Sequence, residues 1–225
     1  MKEIAARAVC ETLGELVAPR STALLLVDLQ NDFVSDGGIV MRRGEGQKTK
    51  VRNIVANAAA VLRAAREHHV TVAYVRYGRT SDHRYESAAT LRWTLMKRGY
   101  AADAVSAIEG TWGAEIAPDL APEMGEIVID KRRASGFFDT ALHDELKARG
   151  IGTVVLAGVS THGCVESTAR DAELRDYYVV VLEDCVGAYS DALRQAALTV
   201  MRSRYEVVGS RDVLKEWMRE GGGHD

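Results

Sequence analysis

TVVLAGVSTHGCVESTARDA, Thr153 to Ala172, is the stretch whose reading decides the fold. Thr153 to Ala157 is a short, β-branched apolar run, the composition of a strand buried on both faces of a parallel sheet. From Cys164 to Arg175 apolar residues recur at helical spacing, so a strand passes through a tight turn into a helix. Cys164 then falls in the first helical turn, where unpaired backbone N–H groups and the positive end of the dipole favour a thiolate over a thiol. A single cysteine is also a common small core residue, and from this segment alone both readings stand.

Working outward, the same strand–helix unit recurs. Thr22 to Val27, Val70 to Tyr77, Glu126 to Asp130, Tyr178 to Leu182 and Tyr205 to Val208 read as further strands. Val51 to Arg66, Asp139 to Arg149 and Ser190 to Arg202 read as helices, with Asp139 a good N-cap and Gly150 a stop signal. This alternation predicts an α/β fold, a mostly parallel sheet with helices on both faces. Ligands in such folds bind beyond the carboxyl ends of the strands. Asp28, Lys131 and Cys164 follow three different strands at that edge, so an acid, an amine and a thiol arrive together from distant parts of the sequence. Between the second and third strands, Gly78 to Ala121 is polar, rich in Arg, Tyr and Trp, and longer than a plain connection needs, with helical patches near Ser87 to Met96. It is the expected source of a pocket wall.

The 225 residues suit one domain, with an amphipathic N-terminal helix within 1–18 and a polar, flexible tail at 221–225. A net charge of −3 with both signs interspersed excludes the basic stripe of a nucleic-acid binder and the polybasic patch of a membrane-surface protein. No signal-peptide core and no long apolar span is present, so a cytoplasmic protein is expected. Cys10, Cys164 and Cys185 are too few and too scattered for a disulfide framework or a zinc site.

A thiol needs a proton acceptor or a cationic environment to act as a nucleophile near neutral pH. Asp28 supplies the first; Lys131 and the helix start supply the second. Taken singly, a strand-end Asp more often caps a turn and a strand-end Lys is more often solvated. His162, two residues from Cys164, is read as a pocket or surface residue instead of a base.

LLLVDLQNDF (Leu24 to Phe33), Asp130-Lys131 followed by SGFFDT (Ser135 to Thr140), and AGVSTHGCVESTARDA (Ala157 to Ala172) together resemble the signature segments of the isochorismatase-like cysteine hydrolases, in order over roughly residues 20–210. The resemblance implies a three-layer α/β/α sandwich with a six-stranded parallel sheet in order 3-2-1-4-5-6. It also implies a triad of Asp28 as base, Lys131 as electrostatic partner and Cys164 as nucleophile. A cis peptide at Val159–Ser160 is implied too, aiming the Ser160 and Cys164 N–H groups at one oxyanion. The reaction implied is hydrolysis of a small amide, ureido or carbamoyl compound through a thioester, with no cofactor, by a homodimer or homotetramer. Phe33, Thr161, Phe137 and Arg92 are the candidate substrate-binding residues, with Phe138, Arg79, Arg84 and the Lys131 to Arg133 cluster as further options. Nicotinamidases in this superfamily hold a metal with an Asp-x-His pair and a further His; here Asp82 and His83 are adjacent, so no metal is expected. A true isochorismatase and, outside enzymology, a nucleotide-binding module are the rivals. The latter is disfavoured because Val27-Asp-Leu-Gln lacks a glycine-rich phosphate turn.

Overall fold

The computed structural model describes residues 1–39, 45–97 and 105–221. Its first element departs from the expected N-terminal helix. Lys2–Ile4 (β1) and Arg7–Val9 (β2) form an antiparallel hairpin, and only Leu13–Leu16 is helical (α1), started by a Thr12/Glu15 capping box. The two linking residues, Ala5 and Ala6, both have positive φ (50° and 58°), the backbone twist that suits a two-residue hairpin turn. Alanine gives no composition signal for such a turn. The hairpin is almost wholly exposed, so a helix there would have had no core against which to lay its apolar face.

The main sheet comprises β3 (Thr22–Val27), β4 (Thr71–Tyr77), β5 (Ile127–Lys131), β6 (Thr153–Val159), β7 (Tyr178–Gly187) and β8 (Glu206–Val208). All pairings are parallel and the order is β5-β4-β3-β6-β7-β8, which, counted within the sheet, is the expected 3-2-1-4-5-6. Central β3 and β6 are buried along their whole length, which is why they read as unbroken apolar runs.

Alternation along β3 splits the core in two. Leu24 and Leu26 join Val155 and Ala157 beneath α3 (Glu45–Glu67) and α8 (Ser210–Gly221). Ala23, Leu25 and Val27 join Val154 and Leu156 beneath α5 (Leu142–Ala148), α6 (Glu166–Glu173) and α7 (Asp191–Arg202). Short helices α2 (Asn31–Val34) and α4 (Ala88–Leu91) lie after β3 and within the long excursion.

Helix α8 had no counterpart in the sequence reading. Its buried stripe is thin, Val213 and Trp217 one turn apart, and the Trp217 indole N–H donates to the Val17 carbonyl at 2.8 Å. Helix α5 starts two residues later than Asp139 as N-cap would suggest: Ala141 is its N-cap and Asp139 itself sits at φ 55°. Gly150, at φ 68°, closes that helix as read. Among the described residues, no helix is long and apolar enough to cross a membrane. Residues 222–225, most of the expected tail, lie outside the described residues.

Candidate active site

Three strand ends build the site. β3 stops at Val27, and Asp28 turns out of the sheet at φ 53°, its N–H donating to Val75 O at 2.8 Å. Lys131 is the last residue of β5 and the cross-strand neighbour of Tyr77. Gly158, near the end of β6, has φ 129°, and a Cβ there would stand 2.0 Å from the Val27 carbonyl oxygen, so only glycine lets β6 lie so close to the tip of β3. The Val159–Ser160 peptide is cis. A single wide turn, Thr161–Val165, then carries Cys164 into α6. The Ser160 carbonyl accepts from the Gly163 and Val165 N–H groups at 3.0 and 3.2 Å, on either side of Cys164. The Thr168 hydroxyl donates to Cys164 O at 2.7 Å and accepts from Gly136 N–H at 3.0 Å, tying the turn to the loop after β5.

The structure brings Asp28, Lys131 and Cys164 together. The Lys131 ammonium is fully buried, 2.9 Å from Asp28 Oδ2, 3.2 Å from Cys164 Sγ and 3.1 Å from the Arg133 carbonyl oxygen. Asp28 is also buried, its carboxyl interacts with the Cys164 thiol, and Oδ1 has no hydrogen-bond partner. Burial pushes the Asp28 carboxyl above the usual range, although the Lys131 charge opposes this. For Lys131 burial disfavours the charge, but the attraction of Asp28 and of the sulfur outweighs it, so the amine stays protonated and its pKa is raised. Cys164 is partly exposed, yet the protein packed around its sulfur and the neighbouring Asp28 charge push the thiol up to about 12, against the pull of Lys131. At rest the site therefore holds a protonated thiol beside Asp28 and the Lys131 ammonium. Proton transfer from sulfur to Asp28 keeps the net charge unchanged.

The sulfur opens on a cavity of about 520 Å³. Asp28, Cys164, Ser160 and His162 lie at its base, Phe33 forms one wall, and the long excursion contributes Arg79, Trp93, Thr94 and Ser106. Three of the expected substrate contacts do not line this cavity. Phe137 is buried away from the cavity, its ring stacked on Tyr177 at 5.7 Å, because the loop after β5 folds inward over α6. Thr161, the first residue of the turn, is completely buried. Arg92 is exposed: in the helical stretch that begins at Ala88, residues 89, 90, 93 and 94 face the cavity and Arg92 lies off that face. Phe138 is exposed and Arg84 pairs on the surface with Asp82, whereas Arg79 and Arg133 do line the cavity.

Residues not anticipated are Tyr77, Trp93, Ser106 and Tyr189. Tyr77 and Tyr189 could have been found from the rule that ligands sit beyond carboxyl strand ends, since they end β4 and follow β7. Asp82 is mostly exposed and His83 approaches Glu86 at 3.6 Å. No group of three His, Cys, Asp or Glu side chains among the described residues is arranged to hold a metal.

A doubly wound α/β/α sandwich with an acid, an amine and a thiol meeting at the carboxyl edge of its parallel sheet defines a class of hydrolases. The Isochorismatase domain family matches residues 22–213, and the chain belongs to this family, among the isochorismatase-like cysteine hydrolases. It is 35% identical over 190 residues to the ureidoacrylate amidohydrolase RutB of Methylobacterium radiotolerans, covering 80% of this chain and 72% of that one. A cysteine hydrolase from Pseudomonas syringae pv. phaseolicola superposes with a TM-score of 0.76 at 25% identity, covering 89% of this chain and 94% of the other. The N-carbamoylsarcosine amidase of Thermoplasma acidophilum gives 0.66 at 28% identity, covering 84% and 96%.

Proposed function

We propose that the protein is a cysteine-dependent amidohydrolase that cleaves a C–N bond of a small ureido, carbamoyl or related amide compound through a thioester. The observation that carries this reading is the fully buried Lys131 ammonium, 2.9 Å from Asp28 Oδ2 and 3.2 Å from Cys164 Sγ at the base of a cavity. Such an ammonium holds a base and a nucleophile in register, and stabilises sulfur as it becomes anionic.

The geometry supports the following course for the reaction. Asp28 takes the thiol proton as sulfur attacks the carbonyl carbon, and the displaced electron pair collects on oxygen, facing the Ser160 and Cys164 N–H groups. When the C–N bond breaks, Asp28 returns that proton to the leaving ammonia or amine, and a thioester remains. Asp28 then deprotonates a water that attacks the thioester, and the proton passes to the departing sulfur.

Two features favour an anionic ureido or carbamoyl acid. Relatives of the size and similarity described are named for ureidoacrylate and N-carbamoylsarcosine. Of the nearby cations, Lys131 is buried against Asp28, and Arg79, at the cavity, faces Glu86 at 3.1 Å. The Arg133 guanidinium donates instead to the Tyr85 and Arg132 carbonyls at 2.9 and 2.8 Å, and has no carboxylate partner among the described residues. A substrate carboxylate would complete it.

The test is ammonia release from a panel of ureido acids, carbamoyl amino acids, biuret, simple amides and nicotinamide. Fastest turnover of a carboxylate-bearing ureido or carbamoyl compound is expected, with Arg133→Gln raising KM for that compound more than for biuret. Turnover confined to nicotinamide, or cleavage of isochorismate alone, would contradict the reading.

A further inference from the structure

β3 leaves the sheet at Asp28, whose N–H makes the last backbone bond to β4, while β4 runs two residues further to Tyr77. On that side the Tyr77 backbone has lost its strand neighbour. The side chain of Gln30 takes its place: Tyr77 N–H donates to Gln30 Oε1 at 2.8 Å, and Gln30 Nε2 donates to Tyr77 O at 2.9 Å and to Ala114 O at 2.8 Å. Gln30 is 1% exposed and does not reach the cavity. A flipped amide would set its NH2 against an N–H and its oxygen against two carbonyls, so its orientation is fixed.

On the other side Tyr77 pairs with Lys131 across β4 and β5. Its ring lies 4.4 Å from the Lys131 Nζ, and its hydroxyl donates to Arg132 O at 3.3 Å. An aromatic ring so placed favours the charged form of the amine. We propose that Gln30 is a positioning residue that, by holding the Tyr77 backbone, sets the ring against which the Lys131 ammonium is placed. The inference rests on Lys131 serving the reaction as described above.

Gln30→Met keeps the length of the side chain and removes its three hydrogen bonds. Its turnover number should fall about 10- to 100-fold, the scale on which displaced catalytic groups lose rate, while KM changes less than about twofold because the residue does not touch the cavity. With the ammonium held less firmly, the alkaline limb of the kcat profile should move to lower pH. Alkylation of Cys164 by iodoacetamide at neutral pH, read by peptide mass against Cys10 as internal reference, should slow in the same variant. Simple loss of packing would lower the melting temperature without moving either readout.

Tyr77→Leu should shift the alkaline limb in the same direction, and Tyr77→Phe, which keeps the ring, should leave the limb where the wild type has it. These two variants decide the matter if Gln30→Met does not fold. A folded Gln30→Met or Tyr77→Leu variant with wild-type turnover, limb and Cys164 alkylation would overturn the inference, as would a loss that falls wholly in KM. A fully active Cys164→Ala variant would instead remove the functional reading beneath it.

Discussion

Lys131 has three ammonium hydrogens and three acceptors, the Asp28 carboxylate, the Arg133 carbonyl and the Cys164 sulfur, in a position without solvent contact. Removing it would leave a buried carboxylate unpaired, a change that typically costs about 3–5 kcal/mol. Lys131→Met should therefore lower unfolding free energy by that order in urea titrations near neutral pH, and by less in mildly acidic buffer, where Asp28 takes up a proton. Activity has its own pH signature. Asp28 is raised by burial and must be deprotonated to act, so the acid limb of kcat/KM should lie above the ordinary carboxylate range. Lys131 is raised as well and must stay protonated, so the alkaline limb should lie above the ordinary lysine range. A rate profile whose acid limb falls within or below the ordinary carboxylate range would contradict the direction assigned to Asp28. The meeting of Asp28, Lys131 and Cys164 was legible in the sequence because each lies at or after the end of a strand, and strand ends converge in this topology. Phe137, Thr161 and Arg92 were not, because which side of a loop or helix faces a cavity is settled by packing that no spacing encodes.

At the level of elements, the approach of β6 to β3 is the tightest constraint. Gly158 pairs with Val27 in the ladder, and its φ of 129° comes with a backbone contact that leaves no room for a methyl group. Gly158→Ala should destabilise the fold by at least the 1–3 kcal/mol typical of overpacked interiors, read by urea unfolding, and a neutral change would contradict the geometry. The strands were legible where both faces are buried, as in TALLLV and TVVLA, since continuous apolar runs bounded by polar turns have few other readings. The N-terminal hairpin and α8 were not. One rests on two left-handed alanines and the other on a stripe of two buried residues, and neither leaves a periodic mark strong enough to read.

Across the whole molecule, α8 returns the end of the chain to its beginning. Trp217 is completely buried in the core beneath α3 and bonds to Val17, two hundred residues earlier. Trp217→Ala should cost about 3–5 kcal/mol, visible as a lowered melting temperature, while kcat of the folded fraction is retained because the site lies at the carboxyl edge of the sheet. The Gly78 to Ala121 excursion was recognised as a wall from its length and composition alone. Its attachment to the polar run after β3 was not, since Gln30, Asn31 and Asp32 reach it through bonds to Ala114 O, Trp112 O and Ala107 N–H that lie far away in sequence. The most direct measurement is steady-state turnover of Cys164→Ala beside the wild type, on the same ureido or carbamoyl acid and with matched melting curves. Loss of at least about 10³-fold in kcat is predicted, as for other enzymes deprived of their nucleophile. A folded variant working within tenfold of the wild type would contradict a sulfur nucleophile.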